Sequence, residues 1–205
     1  MMPGTHTWQR SSPVGDGPQE TAASELIAEA RQSHDAFVQL YRRHYDAVFR
    51  YCAHRLFERH TAEDLTADVF LNVVQHFHRF NGGNERQFRN WLYRIATNTV
   101  NGYLRKTARR QGLFERFAQQ ARSEQEDYSV ATDERLAALK EAMHALRPRY
   151  QSIITLRFFE NLKITEIAEV LGCTPGTARS QLARATERLR RRLAATTVFD
   201  ESEDA

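Results

Sequence analysis

Apolar residues recur along this chain at steps of three and four, and nowhere sustain the two-residue alternation of a half-buried strand. Phe37, Leu40, Tyr41, Val48, Phe49, Cys52 and Leu56 trace one broad face, and Ser33 stands where a helix cap belongs. Leu65, Val69, Val73 and Phe77 follow at four-residue steps, predicting a helix over 61–78. Asn81-Gly82-Gly83-Asn84 breaks the pattern. A helix over 85–106 resumes it, buried through Phe88, Leu92, Ile95, Thr99 and Tyr103. With a shorter helix at 24–30, these segments suffice for one compact bundle. The period fades over 111–132, then returns from Asp133 through Leu136, Leu139, Met143 and Leu146. Pro148 restarts it, with Ile153, Ile154, Leu156 and Phe158. The expectation is an all-α chain of two helical domains, 24–110 and 133–194, joined by a flexible acidic linker over 111–132. A disordered leader over 1–23 and an acidic disordered tail over 195–205 complete it.

The last helices carry the sharpest local signal. Ile167, Val170 and Leu171 share a face, and Gly172 follows where a turn needs positive φ. Thr174 is placed as N-cap, with Pro175 at the first helical position, where its missing N–H costs nothing. Ala178, Leu182, Ala185, Leu189 and Leu193 then form a buried stripe. Thr177, Gln181, Arg184 and Arg188 fall on a different face, and 177–192 holds six Arg against one Glu. Turn, cap, stripe and charge together make a helix-turn-helix, with arginines suited to phosphates and guanine edges in a major groove. The plainer alternative is a solvated basic helix on an ordinary bundle.

Charge placement adds a second candidate surface. Net charge is only +3, yet 86–110 holds seven Lys or Arg and no acid, while 123–134 holds five acids and no base. Asn90, Arg94, Thr97, Asn98, Asn101 and Arg105 lie on one side of a helix, and amides with arginines hydrogen-bond base edges and phosphates. Phe80, Phe88 and Trp91, beside the Gly-Gly loop, are candidates to hold an unstacked base, although Phe88 and Trp91 also suit a core. Glu63, Asp64 and Asp68, followed by Asn72 and Gln75, form an acidic face that invites a basic protein partner or is merely solvated.

Several classes are excluded. His44, His54, His60, His76 and His78 with Cys52 show no chelating helical spacing, so no metal site is expected. No phosphate loop, nucleophile elbow or acid pair supports catalysis, so the chain is read as having no catalytic residues, cofactor or small-molecule substrate. Two cysteines without C-x-x-C spacing, no apolar run approaching about 18 residues and no signal pattern point to a cytoplasmic protein without a membrane span.

Three strings then resemble one family: AEDLTADVFLNVV at 62–74, WLYRIATNTVNGYLRK at 91–106 and the whole of 146–190. In this order they look like a sigma factor of the sigma-70 family, of the small extracytoplasmic-function type, over about 33–193. That resemblance implies a bacterial transcription-initiation subunit that performs no chemistry. Glu63, Asp64, Leu65, Asp68, Phe70 and Asn72 would belong to the segment that grips the clamp helices of RNA polymerase's largest subunit, with the flap as a further contact. Phe80, Asn81, Asn84, Phe88, Trp91, Arg94, Asn98, Asn101, Arg105 and Lys106 would hold melted −10 DNA. Thr177, Arg179, Ser180, Gln181, Arg184 and Arg188 would read duplex −35 DNA. An anti-sigma factor is an implied partner. Ala67 stands where the family often has Gln, Gly102 where an acid is common, Lys163 at a usual Ser or Thr cap, and Gln181 at a frequent Arg. Gln181 would favour adenine over guanine. Two other readings remain open on the residues alone: a free-standing dimeric regulator, and a sigma mimic that competes for polymerase.

Overall fold

The computed structural model describes residues 18–117 and 134–195. Expectations for the leader, linker and tail that fall on 1–17, 118–133 and 196–205 lie outside these residues. Every regular element among the described residues is helical: α1 (Pro18–Glu29), α2 (His34–Leu56), α3 (Arg59–His76), α4 (Glu85–Phe117), α5 (Glu134–His144), α6 (Pro148–Ile154), α7 (Ile164–Leu171) and α8 (Pro175–Ala194). A 3₁₀ turn (Phe77–Arg79) follows α3, and a π-helical turn (Thr155–Phe159) extends α6.

Local chemistry starts and stops these helices. Ser33 Oγ accepts from Ala36 N at 3.3 Å, capping α2 as its sequence position implies. Glu58 caps α3 two residues earlier than the pattern suggests, accepting from the amides of His60 and Thr61 at 2.8 and 2.7 Å. Asn84 Oδ1 accepts from Gln87 N at 2.9 Å at the start of α4. Two boundaries differ from expectation. α1 begins at Pro18, inside the expected leader, and α4 continues unbroken to Phe117, through the first seven positions of the expected linker. At 33 residues, α4 is about 50 Å long.

The N-terminal bundle packs α1 to α4 around Leu40, Val48, Tyr51, Cys52, Leu65, Val69, Val73, Leu92 and Val100. Phe37, Phe77, Phe80, Phe88 and Trp91 form an aromatic cluster at its end, with Phe80 edge-on to Phe88 at 5.5 Å. Burying such rings stabilises the bundle by on the order of 2 kcal/mol each. The C-terminal helices close over Met143, Leu146, Ile153, Leu156, Leu162, Ile167, Ala178 and Ala185. Rather than standing apart on a tether, the two groups meet: α4 packs on α7 and α6, and α2 packs on the π-helical turn.

Candidate nucleic-acid and polymerase interfaces

Gly172 adopts φ 63°, the left-handed turn its position implies, and ends α7. Thr174 Oγ1 accepts from Thr177 N at 3.2 Å and starts α8. Glu166 accepts from the Lys163 amide at 2.7 Å, the half of a capping box that the third helical residue supplies. Ala178 and Ala185 are buried with Ile167, Ala168 and Val170, leaving the opposite side of α8 outward. Arg179, Ser180 and Arg184 are exposed there, and neither arginine has an ion-pair partner among the described residues. Thr177 is half-buried, its hydroxyl 2.9 Å from that of Thr174. Gln181 is half-buried too, with Oε1 buried and unpartnered. Arg188 lies over the Tyr150 ring at 5.4 Å, anchored to α6.

The polar side of α4 divides along its length. Asn98, Arg105 and Lys106 are exposed, as is Asn81 before the helix. Asn84 is occupied as the cap of α4. Phe88 is 1% exposed and Phe80 4%, so both rings serve the core first, and Phe88 has no face open to a base. Trp91 is half-buried and, with Phe80, lines a cleft of about 340 Å³ completed by Arg79, Asn81, Gly82, Asn90, Arg94 and Glu169 of α7. Arg31 holds the rim of this cleft, donating to the carbonyls of Phe80 and Gly82 at 2.9 and 3.1 Å. A Cβ on Gly82 would overlap the Phe80 ring and come within 2.9 Å of Gln87 Cβ, so only glycine passes there.

On α3, Asp64 and Asp68 are exposed and Glu63 is half-buried, paired with Arg59 at 2.9 Å. Asn72 Nδ2 donates to the Asp68 carbonyl at 2.9 Å. Leu65 and Phe70 are core residues; Phe70 meets Tyr41 edge-on at 4.6 Å. Their places on the surface are taken by Leu71 and Val74, each 56% exposed, on the same side as the two aspartates. Two large apolar side chains thus stand exposed beside the acids.

Residues 40–110 match the family profile described as Sigma-70 region 2, and residues 136–189 match Sigma-70, region 4. The chain belongs to the sigma-70 family of sigma factors, in its extracytoplasmic-function group. It is 34% identical over 173 residues to the ECF RNA polymerase sigma factor BldN of Streptomyces coelicolor, covering 82% of this chain and 65% of that protein. It is 30% identical over 182 residues to the ECF RNA polymerase sigma factor SigE of Mycolicibacterium smegmatis, covering 87% of this chain and 69% of that one. The chain thus spans about two thirds of the length of these relatives. Its fold is that of CnrH, solved in complex with the cytosolic domain of CnrY, at a TM-score of 0.63 and 23% identity over 85% of this chain and 99% of that one. The sigma factor RpoE, solved with the anti-sigma factor NepR from Bartonella quintana, gives 0.55 and 21% over 78% and 98%.

In this sigma factor part of α4 meets the second domain. Asn90 is 4% exposed and donates through Nδ2 to Glu169 Oε2 at 2.6 Å. Arg94 donates to the Glu169 carbonyl, and Arg89 to the Glu166 carboxylate. Tyr93 donates to Glu160 Oε2 at 2.6 Å, and burial together with that carboxylate pushes its phenol far above the ordinary range. Asn101 accepts from Arg55 at 2.7 Å. Sequence patterns put Arg94 and Asn101 on an open reading face; Arg94 stays exposed but is tied to α7, and Asn101 is half-buried against Arg55. Glu160, Glu166, Glu169 and Arg55 were not among the expected functional residues. The one available signal was the acid-free stretch over 86–110 in a chain whose second domain carries Glu160, Glu166 and Glu169 close together.

Proposed function

We propose that this chain directs RNA polymerase core to promoters, reading a melted −10 element with α4 and the Phe80–Asn84 loop, and a duplex −35 element with α8. The observation that carries this reading is the pairing of two unlike surfaces in one chain. α8 presents Arg179 and Arg184 without ion-pair partners among the described residues, beside exposed Ser180, and α3 presents Leu71 and Val74 beside Asp64 and Asp68. A duplex reader acting alone has use for the first surface only.

The roles follow from placement. Arg179 and Arg184 reach base edges or phosphates in the major groove, with Ser180, Gln181 and Thr177 nearer the helix start. Arg188, held on Tyr150, sits back towards the backbone. Asn98, Arg105 and Lys106 track the strand along α4, and Trp91 with Asn81 lines the cleft that takes an extruded base. Arg94 and Asn101 join them once the second domain has moved away. Asp64, Asp68 and Asn72 with Leu71 and Val74 dock on the clamp helices of the largest subunit, Leu65 and Phe70 supporting them from the core. Its workplace is the bacterial cytoplasm, it performs no catalysis, and an anti-sigma factor restrains it. Among the described residues no helix is long and apolar enough to cross a membrane.

Run-off transcription with sigma-free bacterial core polymerase on a genomic fragment library tests this. Discrete new starts sharing two upstream elements are the expected result. Stable association with core but no transcripts would favour the mimic, and no association with core would promote the free-standing regulator.

A further inference from the structure

Arg31 stands in the turn between α1 and α2, yet its partners lie 49 and 51 positions further along the chain. Its Nη2 donates to the carbonyls of both Phe80 and Gly82, and the guanidinium carbon lies 5.9 Å from the centre of the Phe80 ring. The turn that carries Arg31 is itself fixed. The amides of Gln32 and Ser33 both donate to the Glu29 carbonyl at 2.9 Å, Ser33 caps α2, and buried Ile27 and Ala30 seat α1 on the bundle.

The loop that Arg31 touches is constrained from other sides too. Gly82 passes so close to the Phe80 ring that no Cβ fits, and the Gly83 amide donates to Gln87 Oε1 at 2.9 Å. Asn81, between the two carbonyls that Arg31 holds, is exposed, and its side chain has no hydrogen bond among the described residues. Phe80, Asn81 and Trp91 line the cleft; Arg31 grips the loop from outside it.

We propose that Arg31 is a positioning residue for base capture: by tying the carbonyls on either side of Asn81, it fixes that amide at the cleft and so sets which base the cleft accepts. The inference rests on the −10 reading given above and adds a residue to its specificity. Arg31 lies before residues 40–110, the stretch that matches region 2, so the tie stands outside the matched motif.

Both acceptors are neutral and Arg31 is exposed, so the two bonds contribute little to folding. What they contribute is geometry. An amide discriminates bases by presenting donor and acceptor together, and a displacement of about 1 Å forfeits much of that. A loop released from Arg31 would still admit a base but would take wrong ones more readily. A cation near a strand has a second possible use, as a phosphate contact. The two uses leave different marks: a lost phosphate contact weakens every sequence alike, whereas a lost position relaxes the choice at one base.

The test uses holoenzyme assembled from the full chain and sigma-free core, on a promoter from the run-off library with its −10 element randomised. Sequencing the templates that reach heparin-resistant open complexes gives the base preference at each position. Arg31→Ala and Arg31→Met are compared with the parent; methionine keeps an apolar stem beside Phe80 but donates nothing. Both variants should flatten the preference at a single position by about fivefold or more and leave the other positions within about twofold. Parental preference in either variant overturns the proposal. A loss spread evenly over the element overturns it as well, since that is the mark of a phosphate contact. A parent holoenzyme that starts no transcripts overturns the promoter-reading proposal, and this one with it.

Discussion

Arg55 and Gln151, 96 positions apart, join the two halves of the molecule: Nη1 of the buried guanidinium donates to Oε1 of the amide at 2.6 Å. Gln151 in turn donates to the Leu146 carbonyl at 2.9 Å, so the acceptor is locked in place. Among the described residues no carboxylate stands within ion-pair distance of Arg55, and its charge is solvated by amides alone. A helix from one domain thus ends in a charge that the other domain must satisfy.

Supplying the missing anion should strengthen that junction. Asn101→Asp keeps the oxygen that accepts from Arg55 Nη2 and gives it a charge. A charge-assisted bond is about twice as strong as a neutral one, so a gain of roughly 1 kcal/mol is expected in urea unfolding. A loss would mean that Arg55 already has its compensation.

Gly102 sits inside α4, and a Cβ there would meet nothing within 4 Å. Gly102→Ala should therefore stabilise the protein by about 0.5–1 kcal/mol, since the only change is backbone freedom in the unfolded chain. Thermal unfolding followed by circular dichroism measures it; a destabilised variant would indicate that α4 bends at this point.

The two reading surfaces separate by mutation. Arg184→Ala should cost about 1–3 kcal/mol of duplex −35 affinity if the side chain makes a bidentate base contact. Asn98→Ala should leave duplex binding unchanged and slow promoter opening, followed by permanganate reactivity of unpaired thymines. Equal loss of duplex affinity in both variants would sink this division of labour.

The cysteines differ in reactivity. Burial pushes the Cys52 thiol up to about 11, outweighing the Thr66 hydrogen bond and the nearby Arg55 that pull it down. At pH 8 about one molecule in a thousand then carries a Cys52 thiolate, in a core that excludes reagent. Iodoacetamide should modify half-buried Cys173 and spare Cys52, as read by peptide mass spectrometry. Labelling of Cys52 at a comparable rate would show that the α2–α3 core opens readily.

Acid should loosen the entrance of α4. Burial alone would raise the Glu85 carboxyl, but His44 at 3.1 Å and Arg43 at 3.5 Å outweigh it and hold the group below its ordinary 4.5. The native state thus favours the ionised form more than the unfolded chain does. Its contribution is present above pH 4.5 and disappears as the pH falls through the lowered value. Urea midpoints measured from pH 6 to pH 3 should fall less steeply in Glu85→Gln than in the parent. Parallel curves would assign the acid limb to other carboxylates.

Much of this protein follows from short-range rules. The caps at Ser33 and Thr174 and the turn at Gly172 involve partners within five residues, and the stripe through Ala178 and Ala185 follows the helical period, so capping chemistry and periodicity predict them. The same rules mislead at helix ends. α4 runs on to Phe117, past Gly112, although its apolar period has faded. They also mislead where an apolar side chain has two uses: Phe70 and Phe88 are buried, while Leu71 and Val74, which look equally suited to a core, are left outside. A one-residue rotation around α3 decides between them, and only the position of α2 and α4 sets that rotation.

The sequence by itself determined the helices, the helix-turn-helix, the family resemblance and the acid-free stretch over 86–110 of α4, since each is written in neighbouring residues or in composition. The tertiary structure alone decided what that acid-free face meets. Arg89 to Glu166, Asn90 to Glu169 and Tyr93 to Glu160 span 77, 79 and 67 positions, and no periodicity links residues so far apart. Their pairing depends on how one packed body settles against another, where desolvated charge finds its hydrogen-bond partners across the gap.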